Sequence, residues 1–146
     1  MSLYRRVWGV LAYQFTPRIA DALLDGSITF RLARGDVREV YRDGSLLLVR
    51  RPNDGLFSIT LAAGEIIRRT VGPPRFRVVV RGDREVKGSI LVRDVVDLDQ
   101  GLRPGDEVII VDQADNLIGV GRLRVPPIML NGLDRGEVAR VRRRVK

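Results

Sequence analysis

The first half of the chain changes from a helical to a strand-like spacing of its apolar residues. Thr16-Pro17 is a typical helix start, because Thr caps the first turn and Pro fits the first helical position. Apolar residues then recur on one helical face as far as Asp25-Gly26, namely Ile19, Ala20, Leu23 and Leu24. From Ser27 the period shortens to that of half-buried strands. The pattern predicts strands at 28–32, 37–42, 45–51 and 56–60, followed by a short helix at 61–70.

The opening segment, residues 4–15, is apolar and rich in aromatic and β-branched side chains, which favours a strand or a buried opening element. Most aromatic residues of the chain lie in this half. At strand spacing such residues are more often buried than exposed, so we assign them to the core. They are Tyr4, Trp8, Tyr13, Phe15, Phe30, Tyr41 and Phe57, with Phe76 in the second half.

The strongest break in regular secondary structure is predicted at Gly72-Pro73-Pro74, which we interpret as a boundary between domains at 1–72 and 73–146. An internal loop of one domain is the alternative. The second half predicts strands at 75–81, 90–96, 107–112, 117–125 and 137–145, a helical turn at 84–89, and a loop or one helical turn at 126–133. Short, closely spaced strands are typical of a compact barrel. The predicted fold class is therefore α+β, with a small N-terminal α/β-sheet domain followed by a β-barrel.

The net charge of +8 is shared by both halves, since residues 1–72 hold 11 basic and 7 acidic residues and residues 73–146 hold 15 and 11. Such a charge favours binding to polyanions through phosphate contacts and counterion release. Arginine, which predominates over lysine, suits bidentate phosphate recognition. Positive charge that only keeps the protein in solution is the alternative, and a high-GC genome or a thermophilic source also accounts for much of the arginine bias.

Composition excludes several classes of site, because the chain has no cysteine and no histidine. Disulfides, thiolate and imidazole metal sites, cysteine nucleophiles and Ser-His-Asp triads all need one or the other. No apolar run approaches the roughly 20 residues of a membrane helix, and the N-terminus lacks the apolar region of a secretory signal. We therefore expect a cytoplasmic protein without a cofactor, a metal or a membrane partner.

Two basic segments of the second half are candidates for phosphate binding. One is an Arg-Val-Arg-Arg-Arg-Val-Lys run, in which a period of two places Arg140, Arg142 and Arg144 on one strand face and Arg143 on the other. The other is Lys87-Gly88-Ser89, where glycine permits close approach to the backbone. A charged edge strand and an ordinary turn are the respective alternatives.

Two further motifs have structural as well as functional interpretations. Gly119-Val120-Gly121 interrupts an apolar strand, which indicates a bend at a barrel corner or the close approach of another backbone. Asp97 and Asp99 are two residues apart and could share a strand face, as an acid–base pair or a metal site requires. Aspartates at turns are more often structural, and no nucleophile–base arrangement accompanies these two. We therefore expect no catalytic residue and no metal ligand in this chain.

Three segments of the second half occur in a characteristic order: Lys87-Gly88-Ser89-Ile90-Leu91-Val92, Leu102-Arg103-Pro104-Gly105-Asp106-Glu107-Val108-Ile109-Ile110-Val111, and Asn116-Leu117-Ile118-Gly119-Val120-Gly121-Arg122. A glycine turn before an apolar strand, a Pro-Gly-Asp-Glu-Val turn and strand, and a Gly-Val-Gly strand together resemble a PUA domain. This module is shared by pseudouridine synthases and archaeosine transglycosylases. The resemblance implies a PUA-like β-barrel that binds structured RNA.

The first half is similar to the domain that precedes PUA in archaeal tRNA-guanine transglycosylase, through Tyr13-Gln14-Phe15 and Asp54-Gly55-Leu56-Phe57-Ser58-Ile59-Thr60. The resemblance implies the C-terminal, tRNA-binding region of that family, in which the PUA domain grips the acceptor stem and 3′ end of tRNA. The family's catalytic barrel needs aspartates in a domain of its own and a Cys/His zinc site. A chain of 146 residues cannot contain that barrel, and without Cys or His it cannot contain that zinc site. Thr16 also departs from the glycine that the enzymes often carry there.

The resemblance implies a non-catalytic tRNA-binding protein, the detached PUA subunit of an archaeosine tRNA-guanine transglycosylase with a separate catalytic chain. A stand-alone PUA adaptor in ribosome biogenesis or translation, a small enzyme using Asp97 and Asp99, and a purely structural interaction protein are the alternatives. The residues expected to contact RNA are Arg84, Lys87, Gly88, Ser89, Arg93, Arg103, Arg122, Arg124, Arg140, Arg142 and Arg144.

Overall fold

The computed structural model describes residues 2–82, 86–132 and 135–146. The chain divides into two compact units, Met1–Thr70 and Val71–Lys146, so the division falls beside the Gly72-Pro73-Pro74 segment. Within the described residues, no helix has both the length and the apolar composition needed to span a bilayer.

The first unit combines three helices with an antiparallel sheet. The helices are α1 (Leu3–Gln14), α2 (Pro17–Leu23) and α3 (Leu61–Thr70), and the strands are β1 (Ile28–Ala33), β2 (Asp36–Arg42), β3 (Ser45–Arg50) and β4 (Phe57–Ile59). The strands pair in sequence order, β1-β2-β3-β4. All four predicted strands and both predicted helices are present within about two residues of their expected ends, because turn residues mark each boundary.

The prediction of a strand for the opening segment is wrong, since residues 3–14 form α1. The Ser2 side chain accepts a hydrogen bond from Arg5 N at 3.1 Å and so caps the first turn. Val7 and Leu11 are buried one helical turn apart, and Phe15 is buried directly after the helix. The helical period therefore decides the conformation, although the β-branched and aromatic composition favours a strand.

A side-chain amide joins α1 to the edge of the sheet. Gln14 Nε2 donates to Phe57 O at 2.7 Å, and Phe57 N donates to Gln14 Oε1 at 2.9 Å. The amide thereby takes the place of a neighbouring strand for β4, an edge strand whose outer backbone groups need partners. Each such bond contributes on the order of 1 kcal/mol. This gives the Tyr13-Gln14-Phe15 segment a structural role.

The second unit is a six-stranded sheet that curls into a half-barrel. Its strands are β5 (Arg77–Val80), β6 (Ser89–Leu91), β7 (Val95–Leu98), β8 (Glu107–Val111), β9 (Leu117–Leu123) and β10 (Glu137–Arg144). The spatial order is β6-β10-β9-β8-β5-β7, and β5 and β8 are the parallel pair. The α+β fold class and the barrel-like second domain predicted from the sequence are confirmed.

Two details of the second unit differ from the sequence prediction. The strand expected at 90–96 is two strands, β6 and β7, separated by a 3₁₀ helix at Val92–Asp94. Asp94 Oδ2 accepts a hydrogen bond from Leu91 N at 2.9 Å, so a side chain satisfies a backbone donor that a continuous strand would pair. Of the helical turn expected at 84–89, Arg84 and Glu85 lie outside the described residues, and Ser89 begins β6. The turn expected at 126–133 is confirmed as a 3₁₀ helix, Pro127–Gly132.

The neighbouring strands β5 and β8 are buried along their whole length and carry charged residues. Arg77 in β5 is fully buried, and its guanidinium binds both carboxylate oxygens of Asp115, at 2.7 and 3.0 Å. Glu107 in β8 is also buried and is paired with Arg142. Buried charges are tolerated only when they are paired in this way. Each of these two ion pairs therefore neutralises one buried charge, while its partner, Asp115 or Arg142, remains partly exposed.

Strands β9 and β10 approach each other more closely than side chains would allow. A β-carbon built on Gly121 lies 2.0 Å from Arg140 O, and one built on Gly119 lies 2.7 Å from Arg143 O. Both contacts are with backbone, which cannot move aside without shifting the strand. Of the two interpretations of Gly119-Val120-Gly121, close approach of another backbone is therefore the one that the structure supports.

We expect Gly121→Ala to destabilise the second unit by about 1–3 kcal/mol or more, because the added methyl group must displace the β10 backbone. Urea denaturation followed by circular dichroism measures the effect. Gly132→Ala is the matched control, since a β-carbon at Gly132 meets no described atom within 4 Å. A Gly121→Ala variant within about 0.5 kcal/mol of the parent would show that the close approach is not a constraint.

Candidate nucleic-acid interface

A groove lies between β10 and the loop that leads into β6. Its volume is about 380 Å³, and its lining is formed by Lys87, Gly88 and residues 141–144. Val141 N donates to Gly88 O at 3.0 Å, and Arg144 Nη1 donates to Val86 O at 2.8 Å. Two hydrogen bonds, at Val86 and at Gly88, therefore hold the loop against β10. We call this feature the β10 groove.

The β10 groove carries positive charge that the described part of the chain does not neutralise. Lys87 and Arg143 are exposed, and neither forms an ion pair with a described residue. Gly88, which also lines the groove, is exposed, and a β-carbon there would meet no described atom within 4 Å. A sugar-phosphate backbone can therefore approach the main chain closely while the two cations contact its phosphates.

Two of the predicted site residues hold a buried carboxylate. The Glu107 side chain has no exposed area; Arg142 donates to both of its oxygens, and Arg122 Nε lies 3.8 Å from Oε2. An ionised carboxylate in this position is stable only with such partners. Arg142 and Arg122 are still partly exposed, at 32% and 40% of their side-chain area. They stabilise the sheet and also present cationic surface beside the β10 groove.

A second carboxylate organises the opposite end of β10. Glu137 accepts hydrogen bonds from the Ser89 hydroxyl and from Arg140, and Arg124 Nε lies 3.4 Å away. The bond from Ser89, followed by the two guanidinium groups, holds the pKa of the Glu137 carboxyl below its ordinary value, although burial opposes this effect. Ser89 is therefore engaged within the protein, and part of the charge of Arg140 and Arg124 is balanced locally.

Strand pairing places three of the residues predicted to contact RNA, Ser89, Arg122 and Arg140, side by side across the sheet. Glu107 is opposite Arg122, Arg122 is opposite Arg140, and Arg140 is opposite Ser89, across β8, β9, β10 and β6. Side chains of directly opposed residues share a sheet face. The turn that contains Arg103 joins the end of β9, where Gly105 N donates to Leu123 O at 2.8 Å. The turn that contains Arg103 is therefore hydrogen-bonded to the residue that precedes Arg124.

Two predicted site residues are not joined to these residues by the described contacts. Arg93 is exposed on the 3₁₀ helix between β6 and β7, and its carbonyl accepts a bond from Arg81 Nε at 3.1 Å. Arg84 lies outside the described residues. The contact of either residue with RNA stays a prediction.

The strict alternation predicted for the C-terminal strand is wrong beyond Val141. The register of β10 against β9 shifts between Val141 and Arg143, which is a β-bulge with Arg142 as the additional residue. Arg143 is opposite Val120, on the face of Arg122 and Arg140, which the alternation assigned to the other side. The bulge therefore adds Arg143 to the cationic surface, and a simple period of two could not reveal it.

Asp97 and Asp99 bind backbone groups rather than forming an acidic site. Asp99 is buried and accepts hydrogen bonds from Phe76 N at 2.7 Å and Gly101 N at 2.9 Å. Asp97 accepts from Leu98 N at 2.8 Å. No group of three or more acidic residues in the described ranges has metal-site geometry. The observed roles are those of turn-stabilising aspartates.

The assignment of all aromatic residues to the core is also wrong. Phe15, Phe57 and Phe76 are buried, but Tyr13 is 83% exposed and Tyr4 is 45% exposed. Both lie on α1, whose helical period was missed. In a helix, Arg5, Gly9 and Tyr13 are four residues apart and lie on one face. This spacing is the sequence signal that predicts the exposed surface.

Comparison with protein families finds one match in each unit. Residues 5–74 match the patch-forming domain C2 of tRNA-guanine transglycosylase, and residues 79–145 match the PUA domain. The tRNA-guanine(15) transglycosylase of Thermococcus onnurineus is 31% identical over 144 residues, which cover 96% of this chain and 25% of the relative. That of Methanobrevibacter smithii is 27% identical over 148 residues, which cover 97% of this chain and 22% of the relative. The chain thus spans about a quarter of the length of these curated relatives.

Solved structures share the fold over almost the entire chain. A hypothetical protein of Pyrococcus horikoshii superimposes with a TM-score of 0.72 at 18% identity, covering 99% of this chain and 92% of that one. A conserved PUA domain protein of Thermoplasma acidophilum gives 0.67 at 17% identity, covering 99% and 91%. At such identities the likeness shows the fold alone, and it confirms the PUA-like fold expected from the sequence.

The depressed pKa of Glu137 predicts a pH-dependent contribution to stability. A carboxyl with a lowered folded-state pKa stabilises the fold above its ordinary pKa of about 4.3, and this contribution disappears as pH falls through the folded-state value. We expect Glu137→Gln to lower the free energy of unfolding at neutral pH and to differ less from the parent near about pH 3.

Urea denaturation at the two pH values measures this difference. Asp25→Asn is the control, because Asp25 is exposed and forms no ion pair in the described part of the chain. An effect of Glu137→Gln that is equal at both pH values would contradict the assigned role of Glu137.

Proposed function

Since the chain is a PUA-domain protein that resembles the C-terminal region of tRNA-guanine transglycosylase, we propose that it binds tRNA through the β10 groove and catalyses no reaction by itself. The observation that carries this proposal is that two exposed cations, Lys87 and Arg143, line the same groove as the exposed Gly88. Both cations lack carboxylate partners among the described residues, so their charge is available to phosphates.

The ligand that fits the groove is a phosphate backbone with an accessible end. Lys87 and Arg143 bind successive phosphates, and the main chain at Gly88 contacts the sugar between them. Arg140, Arg122 and Arg124 extend the cationic surface, with Glu137 and Glu107 fixing their positions. Carboxylates within the surface limit non-specific attraction and favour a ligand of defined shape. We propose the acceptor stem and 3′ end of tRNA as that ligand.

In the larger process, we propose that the chain acts as a detached subunit of an archaeosine tRNA-guanine transglycosylase. The matched relatives are tRNA-guanine(15) transglycosylases, and the match is restricted to about a quarter of their length. A separate chain would supply the catalytic barrel, with the zinc ligands that these 146 residues do not contain. Holding the tRNA increases the effective concentration of the target base at that catalytic site.

A stand-alone RNA adaptor in ribosome biogenesis or translation is the second candidate. The observation behind it is coverage, since this chain covers 91% of the Thermoplasma acidophilum PUA domain protein but only about a quarter of the transglycosylases. In this role the same groove binds RNA, but the partner is not a transglycosylase. The two candidates therefore differ in partner and agree in the RNA-binding surface.

We expect the double variant Lys87→Gln/Arg143→Gln to bind tRNA at least tenfold more weakly than the parent, because two phosphate contacts are removed. The slope of log affinity against log salt should fall by about 2, which is roughly one unit per lost phosphate contact. Filter binding over a salt series measures both quantities. Arg18→Gln, an exposed arginine of α2 without an ion pair among the described residues, should behave like the parent.

The same assay with tRNA that lacks its single-stranded 3′ end tests the finer proposal. Loss of the 3′ end should weaken binding by the parent and have less effect on the double variant. An unchanged affinity and salt slope in the double variant would exclude the β10 groove as the RNA-binding surface. Equal binding of both tRNAs by the parent would exclude recognition of the 3′ end.

Complementation in trans separates the two candidate roles. Adding this chain to a transglycosylase catalytic chain that lacks the two C-terminal domains should raise kcat/KM for guanine exchange at least tenfold, mainly by lowering KM, because tRNA positioning is restored. Incorporation of labelled guanine into tRNA gives the rate. The Lys87→Gln/Arg143→Gln variant is the matched control and should complement poorly. Strong tRNA binding without any complementation would favour the stand-alone adaptor.

A further inference from the structure

The solvent-facing side of α1 forms a groove in the first unit that the β10 groove does not involve. Its volume is about 980 Å³, and its lining includes Tyr4, Arg5, Trp8, Gly9, Val10 and Tyr13. Two of the three tyrosines and the single tryptophan of the chain therefore lie in one place. We call it the α1 groove. Its rings stand in a basic unit, since residues 1–72 carry 11 basic and 7 acidic residues.

The three rings differ in how their polar atoms are used. Trp8 Nε1 donates to Asp21 Oδ1 at 2.7 Å, and Tyr4 OH donates to Leu24 O at 3.3 Å, so both rings are held in place by α2 or its end. Tyr13 is 83% exposed, and its hydroxyl has no hydrogen bond within the described part of the chain. Fixed rings beside an exposed ring form a surface that flat aromatic groups can stack on with little loss of side-chain entropy.

Gly9 opens the helix surface between Arg5 and Tyr13. A glycine inside a helix costs about 1 kcal/mol relative to alanine, and a β-carbon at Gly9 would meet no described atom within 4 Å. Packing within the unit therefore does not require glycine at this position. The face of α1 that carries Arg5 and Tyr13 therefore has no side chain at Gly9, next to the exposed Tyr13 ring. The missing side chain gives a flat ligand access to the helix backbone.

Arg5 supplies a cation to the α1 groove that can bind a phosphate. Asp21 is bound to Trp8, Asp54 is bound to Arg51, and Arg6 is bound to Asp36 at 3.2 Å. Arg5 is exposed and has no ion pair with a described residue. The Asp21 carboxylate keeps its negative charge, because the indole N–H that it accepts from is neutral. Arg5 is the cation of the lining that has no carboxylate partner in the described part of the chain, and it lies on the same helix face as Tyr13. A nucleotide combines a flat base for the rings with a phosphate for this arginine.

We infer that the α1 groove is a second RNA contact, in which an unpaired base stacks on Tyr13 and its phosphate binds Arg5. The inference rests on the proposed function, because tRNA supplies the unpaired base. It differs from that proposal in its site, which lies in the first unit, and in the group recognised, which is an unpaired base that stacks on a ring rather than a sugar-phosphate backbone alone. Stacking of this kind tolerates any base.

Trp8 provides a direct readout, since it is the only tryptophan of the chain and lines the groove. The experiment titrates the full chain with tRNA and with a blunt, fully paired RNA duplex, recording Trp8 fluorescence and filter-binding affinity together. The variants are Tyr13→Ala, Tyr13→Phe and Arg5→Gln, with Arg18→Gln as the charge control. Circular dichroism confirms folding, which the exposure of Tyr13 and Arg5 should leave intact.

The expected result is quenching of Trp8 by tRNA and not by the blunt duplex. Tyr13→Ala should weaken tRNA binding about fivefold to tenfold or more, while Tyr13→Phe stays within about twofold because the ring is retained. Arg5→Gln should weaken binding and lower the salt slope by about 1, and Arg18→Gln should change neither.

Three outcomes would overturn the inference. Unchanged Trp8 fluorescence and an unaffected Tyr13→Ala variant, with tRNA still bound through Lys87 and Arg143, would remove the second contact and leave the proposed function intact. Absence of tRNA binding by the parent at low salt would remove both. A dimer in sedimentation velocity that Tyr13→Ala dissociates, without a change in tRNA affinity, would assign the groove to a second copy of the chain instead.

Discussion

The close approach of β9 and β10 is the constraint on which the candidate RNA-binding surface depends. No residue larger than glycine fits at Gly121, because Arg140 O occupies the position of its β-carbon. This contact sets the register in which Arg140 is opposite Arg122, and the bulge that follows turns Arg143 toward the same face. Val141 N then binds Gly88 O and fixes the loop that carries Lys87. The position of each cation in the β10 groove follows from this one backbone contact.

The basic surface is ordered by carboxylates as much as by its own arginines. Glu107 forms ion pairs with Arg142 and Arg122, and Glu137 forms ion pairs with Arg140 and Arg124. These pairs remove conformational freedom from long side chains before any ligand arrives, which lowers the entropic cost of binding. Lys87 and Arg143 are left with charge that the described residues do not neutralise. Some arginines of the site thus bind carboxylates and fix the shape of the surface, whereas the charge of others remains available to a ligand.

Local sequence signals were enough to locate most strands and the PUA-like order of the second half. They failed where a contact distant in sequence decides the structure. Helix α1 depends on burial of Val7 and Leu11, and the edge of β4 depends on the amide of Gln14. The bulge that relocates Arg143 depends on the pairing of β10 with β9. Pairing of arginines with Glu107 or Glu137 likewise cannot be read from composition, because charge alone does not show which partner a side chain finds.

The most direct test of the account is a ¹⁵N chemical-shift map of the chain titrated with a tRNA acceptor-stem minihelix that retains its single-stranded 3′ end. The account predicts that the largest backbone shifts in the second unit occur at Lys87, Gly88 and residues 141–144, which line the β10 groove. Saturating minihelix that leaves these amides unshifted, or that shifts only the opposite edge of the sheet at β7, would contradict it.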